Sequence, residues 1–305
     1  MKNIKLSVPI EDSGKRIDVF IHDALGGKLG LSRSAVQKLI KNGEVKLNLS
    51  EATVSHYKIK ENDLISFVVP RLEKSTLEPE NIKLKILYED KFLLVLDKPV
   101  GLVVHPGAGN KSATLVNALL NHTKKLSTVN RDRPGIVHRL DKGTSGLMMV
   151  AKDNKTHLAI AEQFARHEIR KNYVALVKGL VEFDEGEIDV PIGKDQNDFK
   201  KMKAEFSADA REAKTIYRVL ARSKNYTMLD LSPLTGRTHQ LRVHLDYLGH
   251  PILGDEKYSN GKGFKRMFLH AYKLVFFHPA QKKSVEFKIK IPKEFYEVVD
   301  KDKTS

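Results

Sequence analysis

The chain reads as an α+β protein with a small N-terminal αβ module followed by a larger domain on a mixed, largely antiparallel sheet. Three observations predict this. Helical stretches and strand-like runs both recur along the chain, in the small unit and in the larger one. A polar stretch, Arg71–Asn81 (RLEKSTLEPEN), contains Pro79, lacks periodicity and divides the chain. The 305 residues, 41% of them hydrophobic, suffice for two cores. The expected organisation is a module over residues 1–72, a linker over 73–81, a main domain over 82–298 and a disordered tail over 299–305.

In the first unit, Ile17, Phe20, Ile21, Ala24 and Leu25 recur at the spacing of one helical face, which predicts a helix over Arg16–Leu25. Gly26, Gly27 and Gly30 then read as a break. Ser32 is placed to cap a second helix carrying Val36, Leu39 and Ile40, which Asn42-Gly43 ends. Glu44–Leu49 and Asp63–Val69 alternate as short strands. Beyond the linker, strands are expected at Ile82–Tyr88, Phe92–Asp97, Tyr173–Lys178, Lys214–Leu220, Thr227–Ser232 and Ser284–Ile291. Helices are expected near Ala113–His122 and Lys155–Arg166, the second capped by Asn154.

Charge narrows the partners. Lys and Arg number 53 against 38 Asp and Glu, a net +15, which attracts a polyanion without naming it. Residues 1–72 hold 12 basic and 8 acidic side chains, so the excess lies on both units. Cysteine is absent, which excludes disulfide frameworks, zinc ribbons, iron–sulfur clusters and thiol nucleophiles. The start, Met1-Lys2-Asn3-Ile4-Lys5, has no apolar leader, and no run approaches the ~18 apolar residues of a membrane span. The expected location is the cytoplasm, without membrane partners.

Several motifs fail on chemistry. Gly107-Ala108-Gly109-Asn110-Lys111-Ser112 lacks the glycine before lysine that a phosphate loop needs. Gly143-Thr144-Ser145-Gly146-Leu147 lacks the final glycine of a nucleophile elbow. His239 and His244 stand five apart, on different helix faces, unlike a zinc pair. Three segments remain. Leu96–Pro106 (LDKPVGLVVHP) ends a strand in a Pro/Gly turn and reads alone as a turn with a surface Asp–Lys pair. His138–Lys152 (HRLDKGTSGLMMVAK) crowds polar groups into a loop before an apolar strand, where catalytic groups tend to sit. In Leu234–Leu245 (LTGRTHQLRVHL), Thr238 reads as the cap of a helix burying Leu241, Leu245 and Leu248, with Arg242 and His244 beside that stripe and Gly249 and Pro251 beyond it.

Together these segments resemble the pseudouridine synthases of the RluA/RluD type, over about Ile82–Pro292. HRLDKGTSGLMMVAK is similar to the family's catalytic-aspartate motif and Leu234–Asp255 to its arginine motif. Arg170–Gly179 (RKNYVALVKG) is similar to the strand presenting its tyrosine. The N-terminal unit resembles the S-four-type RNA-binding domain through Ser32–Ile40 and Gly43-Glu44-Val45-Lys46, except that Leu49-Ser50 stands where an Asn-Gly turn is common.

The resemblance implies isomerisation of uridine to pseudouridine in RNA, with no cofactor and no metal. Asp141 would be the essential carboxylate, as nucleophile or base, Arg242 its ionic partner and Tyr173 the residue packed on the uracil. His138, Arg139, Lys171, Arg237 and His239 would bind substrate, and Arg16, Arg33, Lys38 and Lys41 would bind RNA from the first module. The implied substrate is large-subunit ribosomal RNA or a pre-ribosomal particle, acted on by a monomer. Transfer RNA, or a non-catalytic role in ribosome assembly, are the alternatives. Deleting residues 1–72 is expected to weaken RNA binding and to flatten its dependence on salt. Each lost phosphate contact lowers the log–log slope by about 0.9 on duplex or about 0.7 on single strands; filter binding across a salt series measures it, and an unaltered slope would assign capture to the larger domain alone.

Overall fold

A computed structural model describes the chain except residues 1, 30–32, 53, 70–76, 108, 196–197, 199–200, 260, 262 and 305. The first unit comprises β1 (Lys2–Ser7), α1 (Ile17–Leu29), α2 (Arg33–Lys41), β2 (Val45–Leu47), β3 (Ser50–Glu51) and β4 (Leu64–Val69). Its strands pair antiparallel in the order β1-β4-β2-β3. Ile17, Phe20 and Ile21 of α1 meet Val36, Leu39 and Ile40 of α2 in one core with Val45, Ile65 and Phe67, as their spacing requires.

Two local expectations change here. The glycine pair does not break α1, which continues through Gly26-Gly27 to Leu29; the expected cap Ser32 lies outside the described residues. The hairpin between β2 and β3 turns on Asn48 (φ 49°) and Leu49 (φ 72°), one residue earlier than expected. Two left-handed residues make the turn that Asn-Gly favours, and here an exposed leucine takes the glycine's place.

The second unit contains β5 (Lys85–Glu89), β6 (Leu93–Lys98), α3 (Leu115–His122), β7 (Ser145–Ala151), α4 (Asn154–Ala165) and β8 (Arg170–Lys178). It continues with β9 (Glu185–Asp189), β10 (Ile192–Lys194), β11 (Met202–Ala204), β12 (Lys214–Arg222), β13 (Tyr226–Pro233), α5 (Gln240–Tyr247), β14 (Leu269–His278), β15 (Lys283–Lys288) and α6 (Lys293–Thr304). Nine of these strands form one sheet, in the order β5-β6-β7-β14-β8-β13-β12-β9, with β15 also paired to β14. Among the described residues only its pairing of β7 with β14 is parallel, so the sheet is mixed and largely antiparallel. Strand β7 is buried along its whole length, as an apolar run in mid-sheet must be.

Gly146 is the point at which β7 can meet β14. A Cβ there would stand 2.1 Å from the Ala271 carbonyl oxygen, and its φ of 114° belongs to glycine. Beside it, Arg266 Nη2 donates to Ser145 Oγ (2.5 Å), which is 2.8 Å from His270 Nδ1. The loop carrying Asp141 thus runs directly into the middle of the sheet.

Caps and ends differ from the pattern reading. Asp153, not Asn154, caps α4 by accepting from Thr156 N at 2.9 Å; Asn154 instead accepts from Thr128 N at 2.8 Å. His239, not Thr238, stands at the start of α5, and Leu248 at its end is exposed while Leu241 and Leu245 are buried. Within the expected linker, Glu78 O accepts from Asn117 Nδ2 (2.7 Å) and Glu80 Oε1 from Ala113 N (2.9 Å), which ties it to α3.

The expectation of disorder over 299–305 is overturned as far as Thr304, to which α6 stays helical; residue 305 lies outside the described residues. Phe295 and Val299 pack against Phe268, Leu176 and Met228, and Asp302 accepts from Asn225 N and Nδ2 at 2.7 and 2.8 Å. An amphipathic spacing carried by few apolar residues looked polar in composition. Replacing Phe295, fully buried, by alanine is expected to cost about 3–5 kcal/mol of stability. Urea denaturation measures this, and a loss below about 1 kcal/mol would mean the helix is not docked.

Candidate active site

Loop, strand and helix converge on a cleft of about 580 Å³ lined by Asp141, Tyr173, His239 and Arg242, together with His138, Arg139, Lys171 and Arg237. Asp141 lies in the turn before β7, where its carbonyl accepts from Thr144 N at 3.1 Å. Tyr173 and Lys171 lie two apart on β8 and so share a face. Arg242 sits on the first turn of α5, whose apolar stripe anchors it to the sheet.

Arg242 is the centre of the charge arrangement. Its Nη1 donates to Asp141 Oδ2 at 3.0 Å, while Nε and Nη2 fork onto Asp255 Oδ2 and Oδ1 at 2.6 and 2.7 Å. The guanidinium also lies over the Tyr258 ring, 4.9 Å from its centroid. Asp255 is fully buried at its side chain. It accepts as well from Lys257 N and Tyr258 N at 2.9 and 3.3 Å. Bonds to both carboxylates raise the Arg242 pKa further, against its burial. Burial and the charge of Asp141 raise the Tyr173 hydroxyl well above the ordinary tyrosine value.

The other expected residues divide. His239 Nε2 faces Asp141 Oδ2 at 3.8 Å. Arg139 is exposed at the rim. Lys171 points its ammonium over the Phe164 ring at 5.5 Å, and burial depresses its pKa to about 8. Arg237 Nε donates to the Glu212 carbonyl at 2.9 Å. His138 forms wall: Nε2 accepts from Met149 N at 3.0 Å, and its ring rests on Phe164. In the first unit, Arg16 and Arg33 both bond to buried Asp18, whereas Lys38 and Lys41 are exposed on α2. His244 is structural, contacting Thr215 Oγ1 at 2.9 Å and the Val190 carbonyl at 3.0 Å.

Three participants escaped the pattern reading. Asp255 closes the arginine motif, but nothing in the sequence pairs it with Arg242. Tyr258 carried no signal at all. Lys98, read as half of a surface pair, is wholly buried; Asp97 pairs with Lys85 instead. Lys98 Nζ donates to the carbonyls of Pro99 and Leu102 at 2.8 and 2.9 Å, and Gly101 N donates to Lys142 O at 2.8 Å. The first segment therefore braces the Asp141 loop from below. Among the described residues there is no cluster of three or more His, Asp or Glu side chains that would hold a metal. No helix among them is long and apolar enough to cross a membrane.

Residues 92–247 match the family model for RNA pseudouridylate synthase, and residues 15–65 match that for the S4 domain. The chain belongs to the RNA pseudouridine synthase family. It is 40% identical over 303 residues to an uncharacterized RNA pseudouridine synthase of Bacillus subtilis (strain 168), covering 98% of each chain. It is 41% identical over 278 residues to a ribosomal large subunit pseudouridine synthase D of Zymomonas mobilis, covering 87% of each. The solved structure of human RNA Pseudouridylate Synthase Domain Containing 1 superposes with a TM-score of 0.57 at 25% identity, over 72% of this chain and 96% of that one. The chain is thus an RNA pseudouridine synthase: an enzyme that isomerises uridine in RNA, with an S4 domain at its N-terminal end.

Burial lowers the pKa of Lys98 to about 8, although Asp141 pulls the other way. The folded state therefore releases this proton first. From about pH 8 to the ordinary lysine value the unfolded chain binds more protons, so stability rises with pH. Lys171 acts in the same direction. Lys98→Met is expected to remove about half of a rise of about 3–4 kcal/mol between pH 7.5 and 9.5. Denaturant titrations at both pH values read the difference; an equal rise in both proteins would locate the titration elsewhere.

Proposed function

We propose that this enzyme modifies uridines of large-subunit ribosomal RNA, free or in a pre-ribosomal particle, as a cytoplasmic monomer. Two things support the substrate: relatives that cover most of the chain bear that name, and both units carry excess positive charge. The observation that carries the mechanism is Asp141 held by Arg242 in a cleft walled by Tyr173.

The reaction conserves atoms. The bond from N1 of uracil to C1′ of ribose breaks, the base turns in the cleft, and C5 bonds to C1′. C5 gives up its proton and N1 gains one. No oxidant, donor or energy source enters. In the proposed scheme the Asp141 carboxylate acts at the sugar–base junction, either on C1′ or on an adjacent proton. Arg242 holds one of its oxygens and offsets its charge, so that an anion can stand in a cleft closed by RNA. Tyr173 packs on the uracil, and its raised pKa keeps the hydroxyl protonated, a donor before it is a base. Arg139 at the rim meets the phosphates. Extruding a base costs a few kcal/mol, which the basic rim and the stacked tyrosine offset.

Asp141→Asn is expected to abolish pseudouridine formation while RNA affinity stays within a few-fold. Tritium release from RNA labelled at uridine C5 measures the first and filter binding the second; full activity in the variant would remove Asp141 from the mechanism. Comparing pseudouridine maps of ribosomal and transfer RNA from a deletion strain and its parent identifies the substrate. A loss confined to transfer RNA would overturn the ribosomal assignment but not the reaction.

A further inference from the structure

His239 is built into the site in one defined state. It stands at the start of α5 with φ 57°, in the left-handed region, and makes no side-chain cap bond to its own helix. Histidine tolerates that conformation better than most residues, but it is uncommon and clusters at functional sites. Here the backbone turn carries the ring away from the helix and into the cleft, edge-on to Tyr258.

The tautomer follows from counting protons. Tyr258 Oη lies 2.9 Å from the Met202 carbonyl, 3.0 Å from Met202 N and 2.9 Å from His239 Nδ1. The hydroxyl has one proton and two lone pairs. Given to the carbonyl, that proton leaves the oxygen free to accept from Met202 N and from His239 Nδ1–H, and every contact is satisfied. Given to His239, it would leave the Met202 carbonyl against a bare oxygen. The network therefore puts the ring proton on Nδ1 and leaves Nε2 as an acceptor. Burial holds the ring neutral, with its pKa lowered to about 4; Arg242 and Lys257 lower it as well, against the opposing pull of Asp141 and Asp255.

Two acceptors thus face each other across the cleft, His239 Nε2 and Asp141 Oδ2, 3.8 Å apart. Asp141 has a donor in Arg242; among the described residues Nε2 has none. What enters between them should bring a hydrogen-bond donor. If Asp141 works at the sugar–base junction, the group nearest that oxygen is C1′, and the donor one carbon away is the ribose 2′-hydroxyl. We infer that His239 Nε2 accepts a hydrogen bond from the 2′-hydroxyl of the target uridine, making His239 the residue that selects ribose at the reacting nucleotide. The inference rests on the proposed role of Asp141. The 2′-hydroxyl is also the group by which a protein tells RNA from DNA, so a single fixed acceptor here would restrict the reaction to RNA.

A double-mutant cycle between enzyme and substrate tests this. A hairpin carrying one uridine identified by the mapping above is made with ribose or with 2′-deoxyribose at that position alone. Pseudouridine formed is read as kcat/KM by digestion and chromatography. With the wild type, the deoxy substrate should lose about tenfold. His239→Asn keeps a residue suited to the left-handed backbone and still reaches Tyr258, but ends short of Nε2. It should show a similar loss on ribose and no further loss on deoxyribose. His239→Gln, whose amide reaches the Nε2 position, should recover part of both activity and discrimination. Tyr258→Phe, which frees the tautomer, should weaken discrimination while His239 remains. Losses that multiply, or a wild type indifferent to the 2′-hydroxyl, would overturn the inference. A wild type that forms no pseudouridine on the ribose hairpin would instead overturn the functional reading beneath it.

Discussion

One guanidinium held between two carboxylates is the constraint on which the site depends. Arg242 forks onto Asp255, which is out of solvent, and spends its remaining nitrogen on Asp141, which faces the cleft. A buried ion pair is a weak source of net stability, because desolvation consumes most of the Coulombic gain. Its value here is geometric. The bidentate fork fixes the guanidinium plane, and that plane fixes where the third donor points. Lysine, with one charged nitrogen on a flexible stem, would not transmit the orientation. Removing either carboxylate leaves the arginine with one partner, so the three residues act as a unit.

The rest of the larger domain brings these charges to one place. Asp141 precedes β7, Tyr173 and Lys171 lie on β8, and Arg242 rides α5 against the sheet formed by β8 and β13. Strand β14 lies between β7 and β8 and sets their separation. Gly146 permits the close approach of β7 to β14, so a residue five positions from Asp141 is required for reasons of backbone packing alone. Lys98 and the turn after β6 support the same loop from the opposite side. A buried lysine bonded to carbonyls is an expensive brace, and it keeps the aspartate turn from relaxing.

The sequence was informative where chemistry is local. Helix periodicity located α1 and α2, and alternation located β2 and β4, because each of these elements presents one face to a core. The motifs' resemblance to those of the pseudouridine synthases was enough to nominate Asp141, Tyr173 and Arg242. Other features were illegible for definite reasons. Strand β14, central and mostly buried, has no period to distinguish it from other buried chain. Strands β9 to β11 are short or polar. Helix α6 looked like a charged tail, because only its few buried residues reveal what it docks on. The caps of α4 and α5 each moved by one residue, since a cap depends on which neighbouring side chain reaches a free N–H.

What the sequence by itself determined is the inventory: a carboxylate, a tyrosine and an arginine in ordered motifs, an excess of basic side chains, no thiol, and two units separated by a polar segment. Tertiary structure decided the pairings. That Asp255 shares the arginine, that Tyr258 dictates the proton on His239, and that Lys98 is buried instead of solvated are relations between residues distant in the chain or turned by a single φ. Hydrogen bonds carry direction, and direction exists only once the backbone has placed donor and acceptor. A list of residues holds the charges of this site, but which lone pair remains open to the substrate is settled by the fold.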